Sequence, residues 1–162
     1  MTGFPVFTGA LDGPMYVVTV ASGAERAGCL VGFASQCSID PPRFVVWLST
    51  ANRTYRLART ADHLTVHLLR QGERATAEWF GGRTGDEVDK FAEVAWHAGE
   101  ADSPVLDGLS PWFTGRIEAR IEGGDHVGFL LAPVAEGPPS AGPRPVLLRY
   151  RDLRDLDPGH PA

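Results

Sequence analysis

Apolar residues along this chain recur mostly at every second position or in short β-branched runs, and follow helical spacing in only two or three short stretches. Met15 to Ala21 has the β-branched density of a strand, and Ser22 to Glu25 turns the chain. Residues 27–34 are predicted to return antiparallel to it across a four- or five-residue loop. Phe44 to Leu48 is a third strand that begins a β-meander. Leu64 to Leu69 is a fourth, with Leu64, Val66 and Leu68 on one face and Thr65 and His67 on the other. The cleanest alternation runs from Phe113 to Glu122, where Phe113, Gly115, Ile117, Ala119 and Ile121 interleave with polar residues, as in a long half-buried antiparallel strand. Gly123-Gly124-Asp125 then makes a glycine-dependent hairpin turn into a strand from His126 to Val134. Val146 to Tyr150 is a last strand after the excursion from Pro138 to Pro145. Helical spacing is confined to Thr54 to Ala61, to Glu73 to Phe80 before Gly81-Gly82, and to a charged segment. In that segment Asp86, Glu87, Asp89, Lys90 and Glu93 read as the solvated face of a short helix around Val88 and Phe91. Six or seven strands with two or three short helices and no βαβ alternation predict a mainly β barrel or closed sandwich.

At 162 residues the chain fits one domain, expected over 1–150, with a charged, proline-rich tail over 151–162 that should fray. Composition is that of an ordinary globular protein, 43% hydrophobic and 22% charged. The net charge of −5, without a basic stripe, argues against nucleic acid as a partner. Nowhere are there 18 consecutive apolar residues, and Met1 to Leu11 lacks a positive leader, so a soluble cytoplasmic protein with no membrane partner is expected. Cys29 and Cys37 lie eight apart without further Cys or His beside them, a spacing that suits free thiols better than a metal site or a disulfide. Hydrolase chemistry is disfavoured: G-x-S-x-G is missing, and His63, His67 and Cys37 suggest no triad. A G-x-G-x-x-G loop is absent too, so any nicotinamide cofactor binds without a Rossmann unit.

Candidate chemistry concentrates between Gly28 and Tyr55. Two apolar runs, Cys29 to Ala34 and Phe44 to Leu48, flank Asp40-Pro41-Pro42, and each ends in small polar residues. Ser35, Gln36 and Ser38 follow the first. Ser49, Thr50, Asn52, Arg53 and Thr54 follow the second and open the helix at Thr54. Asn52-Arg53-Thr54 reads either as a helix cap or as a cationic, N–H-rich phosphate seat. His126, after Asp125 at a tight turn, reads either as a strand-start histidine with no task or as a functional side chain.

In this order the elements resemble the flavin reductase family with the FMN-binding split-barrel fold. They are Ser35 to Ser38, Ile39 to Pro42, Arg43 to Leu48 and Ser49 to Thr54, then F-x-G at Phe80 to Gly82 and D-K-F at Asp89 to Phe91. P-V-L-D-G at Pro104 to Gly108 and G-D-H at Gly124 to His126 complete the set, so the likeness spans roughly Pro14 to Tyr150. The resemblance implies a split β-barrel of six to seven antiparallel strands, Greek-key-like, and NAD(P)H-dependent reduction of FMN, with FAD as the other flavin. The reduced flavin would serve a partner monooxygenase or another acceptor. It also implies a homodimer with each flavin near a subunit boundary, and four tryptophans in a small barrel point the same way.

Carried over by motif, Gly32, Phe33 and Ala34 with Ser35, Gln36, Cys37 and Ser38 would form the flavin slot and its polar edge. Ser49, Asn52, Arg53 and Thr54 would seat the phosphate, and Phe80, Lys90 and Phe91 would wall the substrate pocket. His126 would position the nicotinamide. The chain departs from the pattern at Leu30 to Phe33, where many relatives carry polar T-x-[N/S]-S side chains, and at Gln36, where they carry Ser. That thinning of polar contacts keeps in view a non-enzymatic flavin-binding module for redox sensing or cofactor storage; a deazaflavin-dependent reductase on the same architecture is a third alternative.

Overall fold

The computed structural model describes residues 3–83, 85–86 and 88–156; Glu87 of the charged segment and the tail beyond Leu156 lie outside them. Among the described residues nine strands form: β1 (Tyr16–Ser22), β2 (Glu25–Val31), β3 (Ala34–Ser38), β4 (Arg43–Ser49), β5 (His63–Leu68), β6 (Trp96–Ala98), β7 (Pro104–Leu106), β8 (Trp112–Glu122) and β9 (His126–Glu136). Three short helices accompany them: α1 (Pro5–Thr8), α2 (Arg53–Ala58) and α3 (Arg74–Gly81). Seven strands pair antiparallel in the order β2-β1-β5-β8-β9-β4-β3, and β6 with β7 makes a second, small sheet.

The two edge strands of the large sheet, β2 and β3, are consecutive in the chain and are joined by Gly32-Phe33 alone. At this corner Trp47 N of β4 donates to Phe33 O at 2.9 Å, so the sheet curls back on itself. The result is a barrel split where β2 and β3 diverge. Its core draws on both halves, with Val18 and Val20 of β1, Cys29 and Val31 of β2, and Phe129 and Leu131 of β9 in one cluster. Helix α2 adds Leu57 and Ala58 to that cluster. Arg120 of β8 donates to the carbonyls of Ala58 and Ala61 at 2.9 and 2.8 Å, which answers orphan acceptors at the helix C-terminus.

A second cluster, with Met15, Val17, Phe80, Leu106, Leu148 and Leu153 among its members, lies beneath α3 and the small sheet. Strand β5 is therefore buried on both faces. Thr65 Oγ1 is 2.7 Å from both Ser103 Oγ and Thr114 Oγ1, and His67 Nδ1 lies 3.0 Å from Val17 O. Leu106 N donates to His67 Nε2 at 3.0 Å, so His67 is the neutral tautomer that carries its proton on Nδ1. These polar contacts fasten the small sheet to the barrel. Unmade, each would leave a buried group costing about 1–3 kcal/mol.

Several expectations are corrected. Ser35, Gln36 and Ser38, read as small polar residues following a strand, belong with Cys37 to a strand of their own, β3, which pairs with β4 from Ala34↔Val46 to Ser38↔Arg43. Strand β4 consequently lies against β9 and not β2, so no meander begins there. The β1–β2 hairpin is tighter than expected, since Ser22 faces Glu25 and the turn is Gly23-Ala24, with Gly23 at φ +61. Val146 to Tyr150 makes only isolated bridges, Leu147 to Arg70 and Arg149 to Pro14, after a run in which Pro143 and Pro145 lack donors.

The segment around Asp89 is a 3-10 turn, Lys90–Ala92, capped by the Asp89 carboxylate on Phe91 N at 3.0 Å. Lys90 is buried and not solvated. Its Nζ donates to Gly28 O at 3.1 Å and Phe80 O at 2.8 Å. The chain does not fray at Arg151: residues 150–153 make a 3-10 turn, Leu153 is buried and Leu156 packs on the second cluster. Arg74 holds this strap through the Asp152 carbonyl and, at 2.8 Å, the Asp155 carboxylate, while Gln71 reaches Asp152 Oδ2 at 2.9 Å. Among the described residues both cysteines are free thiols, Cys29 buried and Cys37 exposed. Among them, too, no helix is long and apolar enough to cross a membrane.

Candidate functional site

Two cavities open along edge strand β2, one on either side of the step from Gly28 to Cys29. The first, about 360 Å³, is apolar and is bounded by Cys29 to Phe33, by Trp47 to Ser49 of β4, by Phe80-Gly81 and by the C-terminal strap. The second, about 380 Å³, is polar and is bounded by Ala24 to Gly28, Arg53 and the segment around Lys90. Three basic side chains (Arg26, Arg53 and Lys90) face three acidic ones (Glu25, Asp86 and Asp89) around it. Among the described residues lining the apolar cleft none is acidic.

One end of the cleft is an aromatic corner. Trp47 sits against backbone at Gly123 and Gly128, where an added Cβ would stand 2.7 and 2.9 Å from its ring atoms. The absence of side chains there is what lets the indole lie flat across the β8–β9 hairpin. Phe33, 60% exposed, stacks at a tilt on the His126 ring with centroids 5.0 Å apart. His126 opens β9 opposite Ser49, and its Nδ1 lies 2.7 Å from the Asp125 carboxylate. That bond orients the imidazole on a half-buried strand end, beside both Phe33 and Trp47.

The expected site residues therefore separate into groups. Gly32, Phe33, Ser49, Asn52, Phe80 and His126 meet around the apolar cleft. Arg53, Lys90 and Phe91 border the polar cavity instead. Ala34 turns inward onto the barrel core, and Ser35, Gln36, Cys37 and Ser38 lie along β3, lining neither cavity. Asn52 is the N-cap of α2, its Oδ1 accepting from Thr54 N at 2.8 Å, and Thr54 is buried. The cap reading of Asn52 and Thr54 is thus realised in the fold. Arg53 leaves the cap with its side chain part-exposed, 3.5 Å from Glu25.

Burial tunes the groups between the two cavities. It raises the Cys29 thiol above its ordinary range, against the opposing pull of hydrogen bonds from Thr54 and Asn52 and of the Lys90 charge. It also lowers Lys90, whose ammonium is held by carbonyl dipoles. Cys29 is accordingly a protonated thiol in the wall between the cavities, and Lys90 a cross-link among β2, α3 and the Asp89 turn.

The sequence reading missed Met15, Cys29, Trp47 and the strap residues Tyr150, Leu153 and Leu156, all of which line the cleft. A signal for the strap existed. Tyr150, Leu153 and Leu156 recur every third residue, the repeat of a 3-10 turn laying one apolar edge inward, but the charged residues between them hid it.

The family model described as a flavin reductase like domain matches residues 8–156. A probable flavin reductase of Rhizobium meliloti is 29% identical over 114 residues, 68% of this chain and 36% of that protein. The reductase subunit HsaB of a flavin-dependent monooxygenase from Mycobacterium tuberculosis is 27% identical over 133 residues, 79% of this chain and 70% of that protein. The chain thus spans about a third of the first relative's length and about two thirds of the second's. Among solved structures, the FMN-binding protein of Thermus thermophilus with bound 1-cyclohex-2-enone superposes with a TM-score of 0.78 at 26% identity, covering 85% of this chain and 76% of that one. With a matching model across nearly all of the described residues, the chain belongs to the flavin reductase like domain family.

Proposed function

We propose that this chain is a reductase that uses NADH or NADPH to reduce a flavin, FMN in preference to FAD, for a monooxygenase or another acceptor. The observation that carries the reading is the apolar cleft, with no acidic side chain among its described lining residues, between the β2–β3 corner and the C-terminal strap of a chain that the flavin reductase like domain model matches. Such a slot suits a planar ring system. Leu30, Val31 and Phe33 supply apolar contact, while Ser49 and Asn52 place polar atoms at one edge. Strand β2 runs on from this slot to the polar cavity, so a phosphate tail laid along it reaches Arg53.

Bound there, a flavin supplies the hydride acceptor; the protein supplies position and electrostatics. Phe33 and Trp47 close the aromatic corner and limit water. His126, oriented by Asp125, would use its other ring nitrogen to position an incoming nicotinamide. A homodimer of cytoplasmic setting completes the proposal. All four tryptophans remain partly exposed in the single chain, and Phe33, Ile39 and Ile121 are exposed apolar side chains of the kind an interface covers.

The test is a visible spectrum of purified protein with added FMN, followed by anaerobic titration with NADH and NADPH. Flavin retained and bleached by nicotinamide supports the reductase. Flavin retained with no nicotinamide consumed makes the chain a binding module, and protein that refuses FMN and FAD ends the proposal.

A further inference from the structure

The C-terminal strap does more than close the cleft. It carries Arg154 into the lining, the only arginine or lysine among the described residues there. The strap's other charges are committed. Asp152 accepts from Gln71 Nε2 at 2.9 Å and Arg149 N at 2.8 Å, and Asp155 pairs with Arg74 at 2.8 Å. Arg151 pairs with Asp12 at 2.5 Å, and Arg149 Nη1 lies 3.5 Å from Asp12 O. Arg154 alone among the strap's arginines has no hydrogen bond or ion pair among the described residues, although buried Leu153 and the Arg74 clasp fix the backbone on either side of it. A pinned backbone with a guanidinium that has no partner among the described residues, in the lining of an apolar slot whose described residues include no carboxylate, is suited to receive an anion.

We infer that Arg154 binds the phosphate of a ligand whose ring occupies the cleft, and that the phosphate is the pyrophosphate of the nicotinamide dinucleotide. The inference rests on the flavin reductase reading, which gives the cleft two phosphorylated ligands. The flavin's tail has its own cation in Arg53, across the β2 step in the polar cavity, where three acids balance three bases. Among the described residues the apolar cleft's lining has no acid to balance Arg154. Its positive charge is therefore open to a second ligand at the ring slot, whose lining also includes His126.

The test uses the full chain with Arg154→Gln and Arg154→Lys. FMN and riboflavin affinities come from quenching of flavin fluorescence, and KM for NADH from steady-state kinetics at low and high salt. Arg154→Gln should raise KM for NADH at least fivefold with kcat within twofold, leave both flavin affinities within twofold, and flatten the salt dependence of KM. Arg154→Lys should recover much of the loss. A fall in FMN affinity with riboflavin and KM unchanged would keep the phosphate contact and overturn its assignment to the dinucleotide. Unchanged KM and flavin affinities in Arg154→Gln would overturn the inference while leaving the reductase intact. Wild-type protein that neither binds flavin nor oxidises NADH would instead remove the reading beneath it, and the inference with it.

Discussion

Lowering the pH through the range in which His67 gains a proton should destabilise this protein from the inside. His67 is fully buried, gives its Nδ1 proton to Val17 O and accepts Leu106 N–H on Nε2, so the fold has a place only for the neutral ring. Burial lowers its pKa from 6.5 to about 4, the bond to Val17 opposing only part of that fall. In the unfolded chain the ring takes a proton near pH 6.5, while in the fold it waits until about pH 4. Its contribution to stability is therefore complete above pH 6.5, falls as pH drops from 6.5 to 4, and is gone below that. At ~1.4 kcal/mol per pH unit, the fall from 6.5 to about 4 amounts to about 3 kcal/mol. That is a large share of the roughly 5–15 kcal/mol by which a domain is ordinarily stable.

Urea unfolding followed by tryptophan fluorescence at pH 8, 6.5, 5 and 4 measures the effect against His67→Gln, which keeps a polar side chain but cannot take a proton. The variant should be less stable at pH 8, where it loses part of the hydrogen-bond pair, and the gap should close or invert by pH 4. Stability curves for the two proteins that run parallel from pH 8 to pH 4 would refute the reasoning, because other titrating groups are common to both.

Gly128→Ala places a Cβ 2.9 Å from the Trp47 ring and should destabilise the protein by about 1–3 kcal/mol while shifting tryptophan emission; an unchanged melting temperature would mean the indole does not rest where described. Arg53→Ala should weaken FMN binding more than tenfold, about 1.4 kcal/mol or more, and leave riboflavin untouched. Equal FMN affinity in calorimetry takes Arg53 out of the site. His126→Ala should raise KM for the nicotinamide or lower kcat with flavin still bound, and wild-type kinetics would leave His126 a purely structural residue.

How much of the barrel was legible depended on whether neighbouring side chains carried an alternating signal. Residues 113–122 and 126–134 alternate or run apolar, and β8 and β9 appear there with a Gly124 turn. Strand β3 escaped because Ala34-Ser-Gln-Cys-Ser38 has neither β-branched nor aromatic residues. Its strand character comes from pairing with β4, a tertiary cause invisible to local propensity. The same omission hid the true neighbour of β4. Once β3 takes one edge, the other is free for β9, and the meander read from chain order gives way to a Greek-key-like crossover. Lys90 misled in the opposite direction. Amid four acidic residues a lysine reads as solvated, yet two carbonyls, of Gly28 and Phe80, wait for it in the interior.

The site shows where motif order informs and where it stops. Order alone brought Gly32, Phe33, Ser49, Asn52 and His126 to one cleft from three separated stretches, because the corner at Gly32-Phe33 and the β4–β9 pairing place Ser49 opposite His126. What motif order left out is everything that closes the cleft from above. Tyr150, Leu153, Arg154 and Leu156 arrive through the strap, held by Arg74 and Gln71 from the segment just before α3 and its first turn. A cleft whose floor is barrel and whose rim is a clasped terminal strap divides its tasks accordingly. The floor, built of strands locked in register, would fix the ring proposed to lie there. The rim, held by a few exposed side-chain contacts, is where a ligand that comes and goes at each turnover would be gripped and released, and Arg154 stands on the rim.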